Sequence, residues 1–348
     1  MKLERLDANP LLSPGDLEPT SEELEVLCTL NPGAVRFGGE ILLLVRVGQR
    51  PRPVDRYVSY LEYDPETQSH RVQRISLDDP NLEIRDNRGY YYRDKMVLSS
   101  LSHLHIARSR DGRRFTFDPE PAIVPTTKYE AFGCEDARIA MVNDRYYITY
   151  TAVSSHGVTV MMAETQDFIT FNKCGLIFPP YQKDVAIFPR KIGEKYFCRH
   201  RPYGSEFNDP CIWTATSPDL LAWGSHEMTL APIPGSWASQ RVGCGGTPIE
   251  TPAGWLEIFH GADHEGRYCL GAMLSDLENP SVVLSHSSKP VFEPEAPYEL
   301  HGVFSSCVFT NGLIVDDDGT LRVYYGAADR VCGGAISSVD QMVAAAGR

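Results

Sequence analysis

Ala107-Arg-Ser-Arg-Asp111 is the first of four copies of one short pattern in this chain. The others are Ala163-Glu-Thr-Gln-Asp167, Ala215-Thr-Ser-Pro-Asp219 and Ala272-Met-Leu-Ser-Asp276, at spacings of 56, 52 and 57 residues. In the first three copies an aromatic residue follows at the same offset, as Phe115, Phe171 and Trp223. A repeat of this period indicates that one supersecondary unit is used several times.

A second motif recurs in phase with the first: a tight turn followed by a short aliphatic or aromatic run. Its five copies begin at a Gly or Asn and span residues 39–46, 143–150, 193–200, 254–260 and 319–325. Short β-branched or aromatic runs bounded by turn residues are typical of strands. No internal segment keeps a helical apolar period over three turns, so helices are predicted only near the ends, at Ser21–Leu27 and Val339–Ala346.

Short antiparallel strands at a period of about 50 residues predict an all-β, five-bladed β-propeller with one four-stranded sheet per blade. Tandem sandwiches are the alternative, and they fit less well because an immunoglobulin-like unit needs roughly 100 residues. The prediction is a single propeller domain over residues 1–348, with residues 1–28 as an N-terminal extension and blades at about 29–340.

The amino-acid composition of the chain restricts the classes of partner that it can bind. Apolar residues make up 42% of the chain, enough for a sizeable core, and no run approaches the 18 apolar residues of a membrane span. The net charge of −13 argues against nucleic acid and anionic membranes. The first residues lack the apolar core of a signal peptide, so we expect a cytoplasmic protein. The nine cysteines are scattered without a C-x-x-C pair, which predicts reduced thiols and no metal site.

Functional groups are expected at the axis of a propeller, where the repeat strands end. The polar residues at these ends differ from unit to unit: Arg46, Tyr150, His200 with Arg201, His260 and Asp329. Different hydrogen-bonding groups on a repeating scaffold indicate a site added to the fold.

The segment Gly133-Cys-Glu-Asp-Ala-Arg-Ile139 carries two adjacent carboxylates and an arginine among apolar residues. If Asp136 faces the axis, Glu135 and Arg138 point elsewhere on an extended backbone. A carboxyl group in a partly dry pocket can hold and donate a proton. A surface salt bridge in a loop is the alternative interpretation.

Three cations stand beside apolar or glycine-rich segments, namely Lys183, Arg201 and Arg241. A buried cation without a partner is costly, so an anion is implied. Pairing with the chain's surplus carboxylates would satisfy any one of them. Their matching positions in successive units favour one shared anion, such as a phosphate.

Together these motifs resemble glycoside hydrolase family 130, the inverting β-mannoside phosphorylases and their hydrolytic relatives. The resemblance extends from about residue 30 to about residue 330. It is carried by Asn31-Pro32, Arg46, Gly133–Ile139, Lys183-Asp-Val-Ala-Ile-Phe-Pro, His200-Arg-Pro, Arg241-Val-Gly, Gly254-Trp-Leu-Glu-Ile-Phe-His-Gly-Ala, Leu270-Gly-Ala-Met-Leu-Ser-Asp-Leu, Phe292-Glu-Pro-Glu and Tyr324-Tyr-Gly-Ala-Ala-Asp. The family fold is a five-bladed propeller, in agreement with the repeat count.

The resemblance assigns roles. Asp136 matches the family's single catalytic carboxylate, a general acid thought to act through a hydroxyl of the sugar. Phosphate-binding positions match Lys183, Arg201 and Arg241, with His200 adjacent. The remaining candidates are substrate-binding residues, namely Asn31, Arg46, Glu135, Arg138, Asp184, His260 and Asp329.

The implied reaction is phosphorolysis of a β-mannoside to α-mannose 1-phosphate and a shortened sugar, with no cofactor and with inorganic phosphate as co-substrate. An inverting hydrolase needs a second carboxylate to activate water, whereas a phosphorylase needs cations that hold phosphate. All three cationic positions are present, which favours phosphorolysis. A β-mannosidase and a non-catalytic sugar-binding propeller are the alternatives, and a homo-oligomer is left open.

Two positions depart from the family pattern. Ala137 replaces the usual Pro, and Arg190 stands where relatives often carry Glu; we expect Arg190 to face solvent. The linkage cleaved and the acceptor sugar depend on loops predicted at the mouth of the site, at residues 85–101, 203–209 and 231–239.

Overall fold

The computed structural model describes residues 2–86, 89–204, 206–207 and 209–347. The first half of the chain forms strands β1 (Glu4–Arg5), β2 (Leu24–Phe37), β3 (Glu40–Pro51), β4 (Tyr57–Asp64), β5 (Ser69–Ser76), β6 (Leu82–Asp86), β7 (Gly89–Tyr92), β8 (Lys95–Leu98), β9 (Leu101–Ser109), β10 (Thr116–Phe117), β11 (Gly133–Val142), β12 (Arg145–Ser154), β13 (Gly157–Thr165) and β14 (Asn172–Phe178). The second half forms β15 (Gln182–Ile187), β16 (Tyr196–Pro202), β17 (Ile212–Ser217), β18 (Gly224–Leu230), β19 (Arg241–Cys244), β20 (Ile249–Thr251), β21 (Gly254–Ala262), β22 (Tyr268–Ser275), β23 (Val283–His286), β24 (Val308–Val315), β25 (Thr320–Ala327) and β26 (Val331–Ser338).

Helices are short in the described ranges. They are α1 (Pro297–Leu300), α2 (Val339–Ala346) and the 3-10 turns Pro14–Asp16 and Lys128–Glu130. The predicted C-terminal helix is confirmed as α2. The predicted helix at Ser21–Leu27 is wrong, because strand β2 begins at Leu24 and pairs there with Pro51. Among the described residues, no helix has the length and apolar character needed to cross a membrane.

The all-β prediction is confirmed, and the strands pair in consecutive antiparallel groups. The first group is β2–β3–β9–β10 and the second is β11–β12–β13–β14. These two groups are joined into one sheet by a single parallel contact between Gly133 and Ser102. The third group is β15–β16–β17–β18, and the fourth is β19–β21–β22–β23 with β20 beside β21. The last is β24–β25–β26, which β1 completes, so part of the segment 1–28 lies within the sheets.

Both sequence repeats have a clear structural meaning. The five turn-and-strand copies become β3, β12, β16, β21 and β25, the second strand of each group. In the four Ala-to-Asp copies, the aspartate ends the third strand by accepting backbone N–H groups two and three residues later. Asp111, for example, accepts from Arg113 and Arg114, and Asp167 accepts from Ile169 and Thr170. Such local side-chain bonds favour turns over continued strand, which explains the recurring residue.

The core lies between successive groups of strands. On β3, Leu42 and Leu44 join an apolar cluster shared with the second group, whereas Leu43 and Val45 join a cluster shared with the last group. Successive side chains of a strand point to opposite faces, so a strand covered on both faces becomes a continuous apolar run. Similar clusters fill the other junctions between neighbouring groups.

One insertion interrupts the repeat. Between β3 and β9 the chain forms a two-stranded hairpin, β4–β5, and a three-stranded meander, β6–β7–β8. These two small sheets pair with none of the larger ones in the described residues. They therefore extend the surface of the first group without taking part in the repeated architecture.

Candidate active site

Irregularities in the first strands of several groups build the candidate site. The register shifts between Leu30 and Gly33 on β2, between Glu135 and Arg138 on β11, and between Lys183 and Ala186 on β15. Inside these bulges, Asn31, Asp136 and Asp184 have positive φ angles of 46°, 52° and 57°. Asn and Asp adopt this left-handed conformation more readily than other side-chain-bearing residues. A bulge re-aims a side chain, and here it turns three polar groups out of the strand pattern.

The carboxylate of Asp136 is almost completely buried and lies among hydrogen-bond donors. Its Oδ1 accepts from Asn31 Nδ2 at 2.9 Å and from Arg46 Nη1 at 3.2 Å. The same guanidinium donates from Nη2 to Glu135 at 2.8 Å and from Nε to Ser102 at 3.1 Å. Arg46 therefore joins two adjacent carboxylates and holds Asp136 in one orientation.

The acidic groups of the site have different pKa shifts. Burial alone would raise the pKa of Asp136, but Arg46, Lys183 and the hydrogen bond from Asn31 hold it below its usual range. Burial raises the pKa of Asp329 to about 6, and the neighbouring Asp136 adds to that rise. Burial also raises the pKa of Glu135. The pKa values of two carboxyl groups in one pocket are thus shifted in opposite directions, downward for Asp136 and upward for Asp329.

The three predicted cations open onto the same cavity as Asp136. Lys183 lies with its Nζ 5.5 Å from the ring centre of Tyr203, and Arg241 donates from Nη1 to the Tyr268 hydroxyl at 2.9 Å. Neither Lys183 nor Arg241 forms an ion pair with a carboxylate in the described part of the chain. Arg201 differs, because its Nε donates to Asp184 at 2.6 Å.

A buried polar layer supports the cavity wall from behind. Arg138 donates to Asp184 Oδ1 at 3.1 Å and to the carbonyl oxygens of Cys244 and Gly245. Burial opposes ionisation of Asp184, but Arg201 and Arg138 hold the pKa of its carboxyl well below the usual range. His260 is fully buried with Nε2 3.5 Å from Asp184 Oδ2, and burial lowers its pKa to about 3. These three residues were predicted to bind substrate, yet they do not line the cavity; they orient Arg201 and the strands around it.

His200 is not brought together with the predicted phosphate-binding residues. Its Nδ1 is 2.9 Å from Gln182 Oε1, its Nε2 is 3.1 Å from a ring nitrogen of His226, and its ring lies on Phe178. Adjacent residues of a strand face opposite sides, so the neighbour of a cavity-facing Arg201 points away. Tyr150 is also turned away and donates from its hydroxyl to the buried Glu130. Arg190 faces solvent as predicted, paired with Glu250.

The cavity has a volume of about 540 Å³, within the range of small-molecule sites. The predicted residues Asn31, Arg46, Asp136, Lys183, Arg201, Arg241 and Asp329 all line it. Sequence reasoning did not identify several other lining residues, including Gln240, His264, Tyr268, Phe304 and Phe309. They come from turns and from strands β22 and β24, where no repeated motif distinguished them.

A metal centre has no structural support in the described ranges, where no three His, Cys, Asp or Glu side chains are grouped to hold an ion. The absence of a cofactor stays a prediction. The described residues bring a buried carboxyl group and several cations around one cavity. Cations around a cavity that also holds a carboxyl group can bind an anion beside a substrate.

Comparison with known proteins identifies the class. A family model described as beta-1,4-mannooligosaccharide phosphorylase, of glycoside hydrolase family 130, matches residues 78–347. The chain therefore belongs to glycoside hydrolase family 130. A beta-1,2-mannobiose phosphorylase of Listeria innocua is 40% identical over 348 residues, covering 99% of this chain and 98% of the relative. A beta-1,4-mannooligosaccharide phosphorylase of Ruminococcus albus is 32% identical, covering 69% of this chain and 75% of the relative.

Comparison with solved structures supports the same family assignment. The Listeria innocua beta-1,2-mannobiose phosphorylase, in complex with beta-1,2-mannobiose, matches this chain with a TM-score of 0.93 and 39% identity over 99% of both chains. A putative glycosidase of Bacteroides thetaiotaomicron matches with a TM-score of 0.74 at 21% identity, which supports the fold alone.

Proposed function

We propose that this protein is an inverting β-mannoside phosphorylase that transfers a mannosyl unit to inorganic phosphate and releases a shortened sugar. One observation carries the choice of phosphorolysis over hydrolysis. Lys183 and Arg241 open onto the cavity of Asp136 without a carboxylate partner among the described residues. Two buried or half-buried cations in that state are stabilised by an anion, and phosphate supplies the nucleophile.

The proposed reaction breaks one bond and forms one. An oxygen of phosphate, held by Lys183, Arg201 and Arg241, attacks the anomeric carbon of the mannosyl unit. The bond from that carbon to the glycosidic oxygen breaks on the opposite face, which inverts the configuration. The leaving oxygen receives a proton that originates on Asp136 and passes through a hydroxyl of the sugar. Asn31, Arg46 and Asp329 grip the mannosyl unit, whereas Arg138, Asp184 and His260 act behind them as positioning residues.

The low pKa of Asp136 is compatible with an acid role once phosphate is considered. Lys183 is one cause of that low pKa. A phosphate anion bound to Lys183 offsets its charge and thereby raises the proton affinity of Asp136. The acid is then loaded by binding of the nucleophile, so both substrates are present when the proton moves.

We further propose that the linkage cleaved is β-1,2. The full-length similarity to the beta-1,2-mannobiose phosphorylase supports this choice, although the matching family model is described by β-1,4 activity.

We infer that the groups of strands form the five blades of one propeller, with apolar clusters at every junction including that between the last group and the first. Because a sugar phosphate is useful where metabolism consumes it, we place the enzyme in the cytoplasm, with a neutral sugar and phosphate rather than nucleic acid or membrane as partners.

The test is phosphate-dependent product analysis. Purified protein is incubated with β-1,2- and β-1,4-mannobiose, each with and without inorganic phosphate, and the products are separated by anion-exchange chromatography. We expect α-mannose 1-phosphate from the β-1,2 substrate only when phosphate is present. Free mannose released as two molecules per disaccharide without phosphate would instead establish a mannosidase. Absence of cleavage of both substrates under all conditions would favour a non-catalytic sugar-binding protein.

A further inference from the structure

Another bulge lies in β24, the first strand of the last group. The pairing of β24 with β25 shifts between Thr310 and Gly312, so Asn311 is the extra residue of this strand. Its counterparts in the bulges of β2 and β11 are Asn31 and Asp136, which line the active-site cavity. Asn311 does not line that cavity and is buried. Nothing in the proposed reaction uses it.

The side-chain amide of Asn311 connects the last strand group to the first. Its Nδ2 donates to the main-chain carbonyl oxygen of Asn31 at 3.1 Å, and Asn31 in turn donates from its own Nδ2 to Asp136 at 2.9 Å. The carbonyl acceptor fixes the orientation of the Asn311 amide, because the reversed amide would place two oxygen atoms against each other. Two successive hydrogen bonds therefore lead from the last group to the carboxyl group of the proposed acid.

The last group also packs closely against the bulge of β2. A Cβ atom at Gly326 would overlap with the side-chain oxygen of Asn31, and a Cβ atom at Gly312 would lie 2.6 Å from the carbonyl oxygen of Pro32. Asn31 has a φ of 46°, a left-handed conformation that is less stable than extended backbone for a residue with a side chain. Surrounding contacts must hold such a residue in place. The Asn311 hydrogen bond and the two close glycines supply these contacts.

The Asn311 amide also destabilises the fold through its other atom. Its Oδ1 is buried and has no hydrogen-bond partner among the described residues. A buried polar atom in that state costs free energy, and an apolar side chain would avoid the cost. An apolar side chain could not donate to Asn31, however. The amide at this position is therefore better explained by its N–H donor than by packing.

We propose that Asn311 is a positioning residue that holds the backbone of Asn31 and so directs the Asn31 amide at the carboxyl group of Asp136. This inference rests on the proposed phosphorolysis, in which Asp136 is the acid. The hydrogen bond from Asn31 is one of the causes that hold the pKa of Asp136 below its usual range. Loss of the Asn311 contact should consequently change the proton affinity of the acid, although Asn311 lies outside the cavity.

The experiment measures kcat for phosphorolysis of β-1,2-mannobiose against pH, at saturating phosphate, in the wild type, Asn311→Ala, Asn31→Ala and the double variant. A general acid donates only when protonated, so kcat falls as the pH rises through its pKa. Removing a hydrogen bond that lowers this pKa moves the alkaline limb to higher pH. We expect Asn311→Ala to move the limb upward by about 0.5–1 pH unit, in the same direction as Asn31→Ala. The double variant should show no shift beyond that of Asn31→Ala.

The other charged groups near Asp136 stay in place in all of these variants. They are Arg46, Glu135, Arg138, Lys183 and Asp329. Asn311→Val fills more of the vacated space and still cannot donate, so it gives the same test if the alanine variant is unfolded.

Thr310→Val is the matched control on the same strand. The Thr310 hydroxyl is buried and donates to the carbonyl oxygen of Tyr324 at 2.7 Å, so its loss should lower the free energy of unfolding in urea. The alkaline limb of this variant should remain at the wild-type pH. A crystal structure of Asn311→Ala supplies a measurement that does not depend on the reaction. In it, the distance from Asn31 Nδ2 to Asp136 Oδ1 should exceed about 3.5 Å, beyond hydrogen-bond range.

Several outcomes would overturn the inference. One is an alkaline limb of Asn311→Ala at the wild-type pH, and another is an unchanged distance between Asn31 and Asp136. A shift in the double variant equal to the sum of the single shifts would also overturn it, because independent effects add. An equal shift in Thr310→Val would assign the change to general loosening of β24 instead. Failure of the wild type to form α-mannose 1-phosphate would refute the proposed function, whereas the crystallographic distance would still decide the role of Asn311.

Discussion

Asn31 donates a 2.9 Å hydrogen bond to Asp136, and both residues have left-handed backbone inside bulges of first strands in neighbouring groups. The repeated scaffold has thus produced the same local distortion twice and directed the two side chains at each other. Asn31 contributes an amide donor and Asp136 a carboxylate, so an equivalent backbone position carries different chemistry in each unit. This pairing makes the orientation of Asp136 dependent on two strand groups rather than on its own strand.

The first prediction concerns Asp136→Asn. The amide keeps the shape of the side chain but has no proton to donate, so kcat should fall by orders of magnitude while mannoside binding changes little. Single-turnover kinetics and sugar binding by calorimetry measure the two effects separately. Asn31→Ala is the companion variant. It retains the Asp136 carboxyl group but removes the Asn31 amide, whose hydrogen bond lowers the pKa of Asp136. Turnover of Asp136→Asn close to that of the wild type would reject the assignment of the acid.

The second prediction concerns the phosphate site. Arg241→Gln removes a cation that has no carboxylate partner among the described residues, so the affinity for phosphate should fall by roughly 1.5–3 kcal/mol, which is about ten- to a hundredfold in KM for phosphate. The KM for the mannoside should change much less. A phosphate KM equal to that of the wild type would place the anion elsewhere.

Arg201→Ala is a contrasting variant within the same site. It should raise the KM for phosphate by a similar factor, but it also leaves the buried Asp184 with one partner fewer. Removing one partner of a buried ion pair is strongly destabilising, by about 3–5 kcal/mol. Urea unfolding of Arg201→Ala and Arg241→Gln should therefore differ, with the larger loss in Arg201→Ala. Equal free energies of unfolding for the two variants would show that the buried Asp184 carboxylate is stabilised without its ion pair to Arg201.

The sequence predicted the local features well and the direction of side chains less well. The second strands and the aspartate turns follow from short-range propensities, so they were visible as repeats. Asp136, Lys183, Arg201 and Arg241 were selected because their motifs are charged segments among apolar ones, and the structure places all four around one cavity. His200 does not line the cavity, because adjacent residues of a strand face opposite sides and Arg201 faces the cavity.

The third prediction concerns Ala137→Pro. Ala137 follows Asp136 in its bulge as Pro32 follows Asn31 in the equivalent bulge, and both preceding residues have φ near +50°. Proline should therefore fit at position 137 and raise the free energy of unfolding by about 0.4–1 kcal/mol through the unfolded state. Ala137→Gly is the matched control and should lower stability instead. A loss of stability in Ala137→Pro, measured by urea unfolding, would show that the two bulges are not equivalent.

The fourth prediction concerns acid stability and His103. This side chain lies on β9, is 4% exposed and has a buried Nε2 without a hydrogen-bond partner among the described residues. Burial, with a further contribution from His105, lowers its pKa to about 3. In the unfolded chain a histidine titrates near 6.5, so below that pH the unfolded state binds a proton that the native state does not. The contribution of His103 to the free energy of unfolding is then fully present above about pH 6.5 and is lost as the pH falls toward 3, by up to about 1.4 kcal/mol per pH unit.

His103→Gln removes this titration, so its loss of unfolding free energy between pH 7.5 and pH 5 should be about 2 kcal/mol smaller than that of the wild type. Urea unfolding at both pH values gives the comparison, with His301→Gln at an exposed position as the control. An identical pH dependence in His103→Gln and the wild type would mean that His103 accepts a proton in the native state.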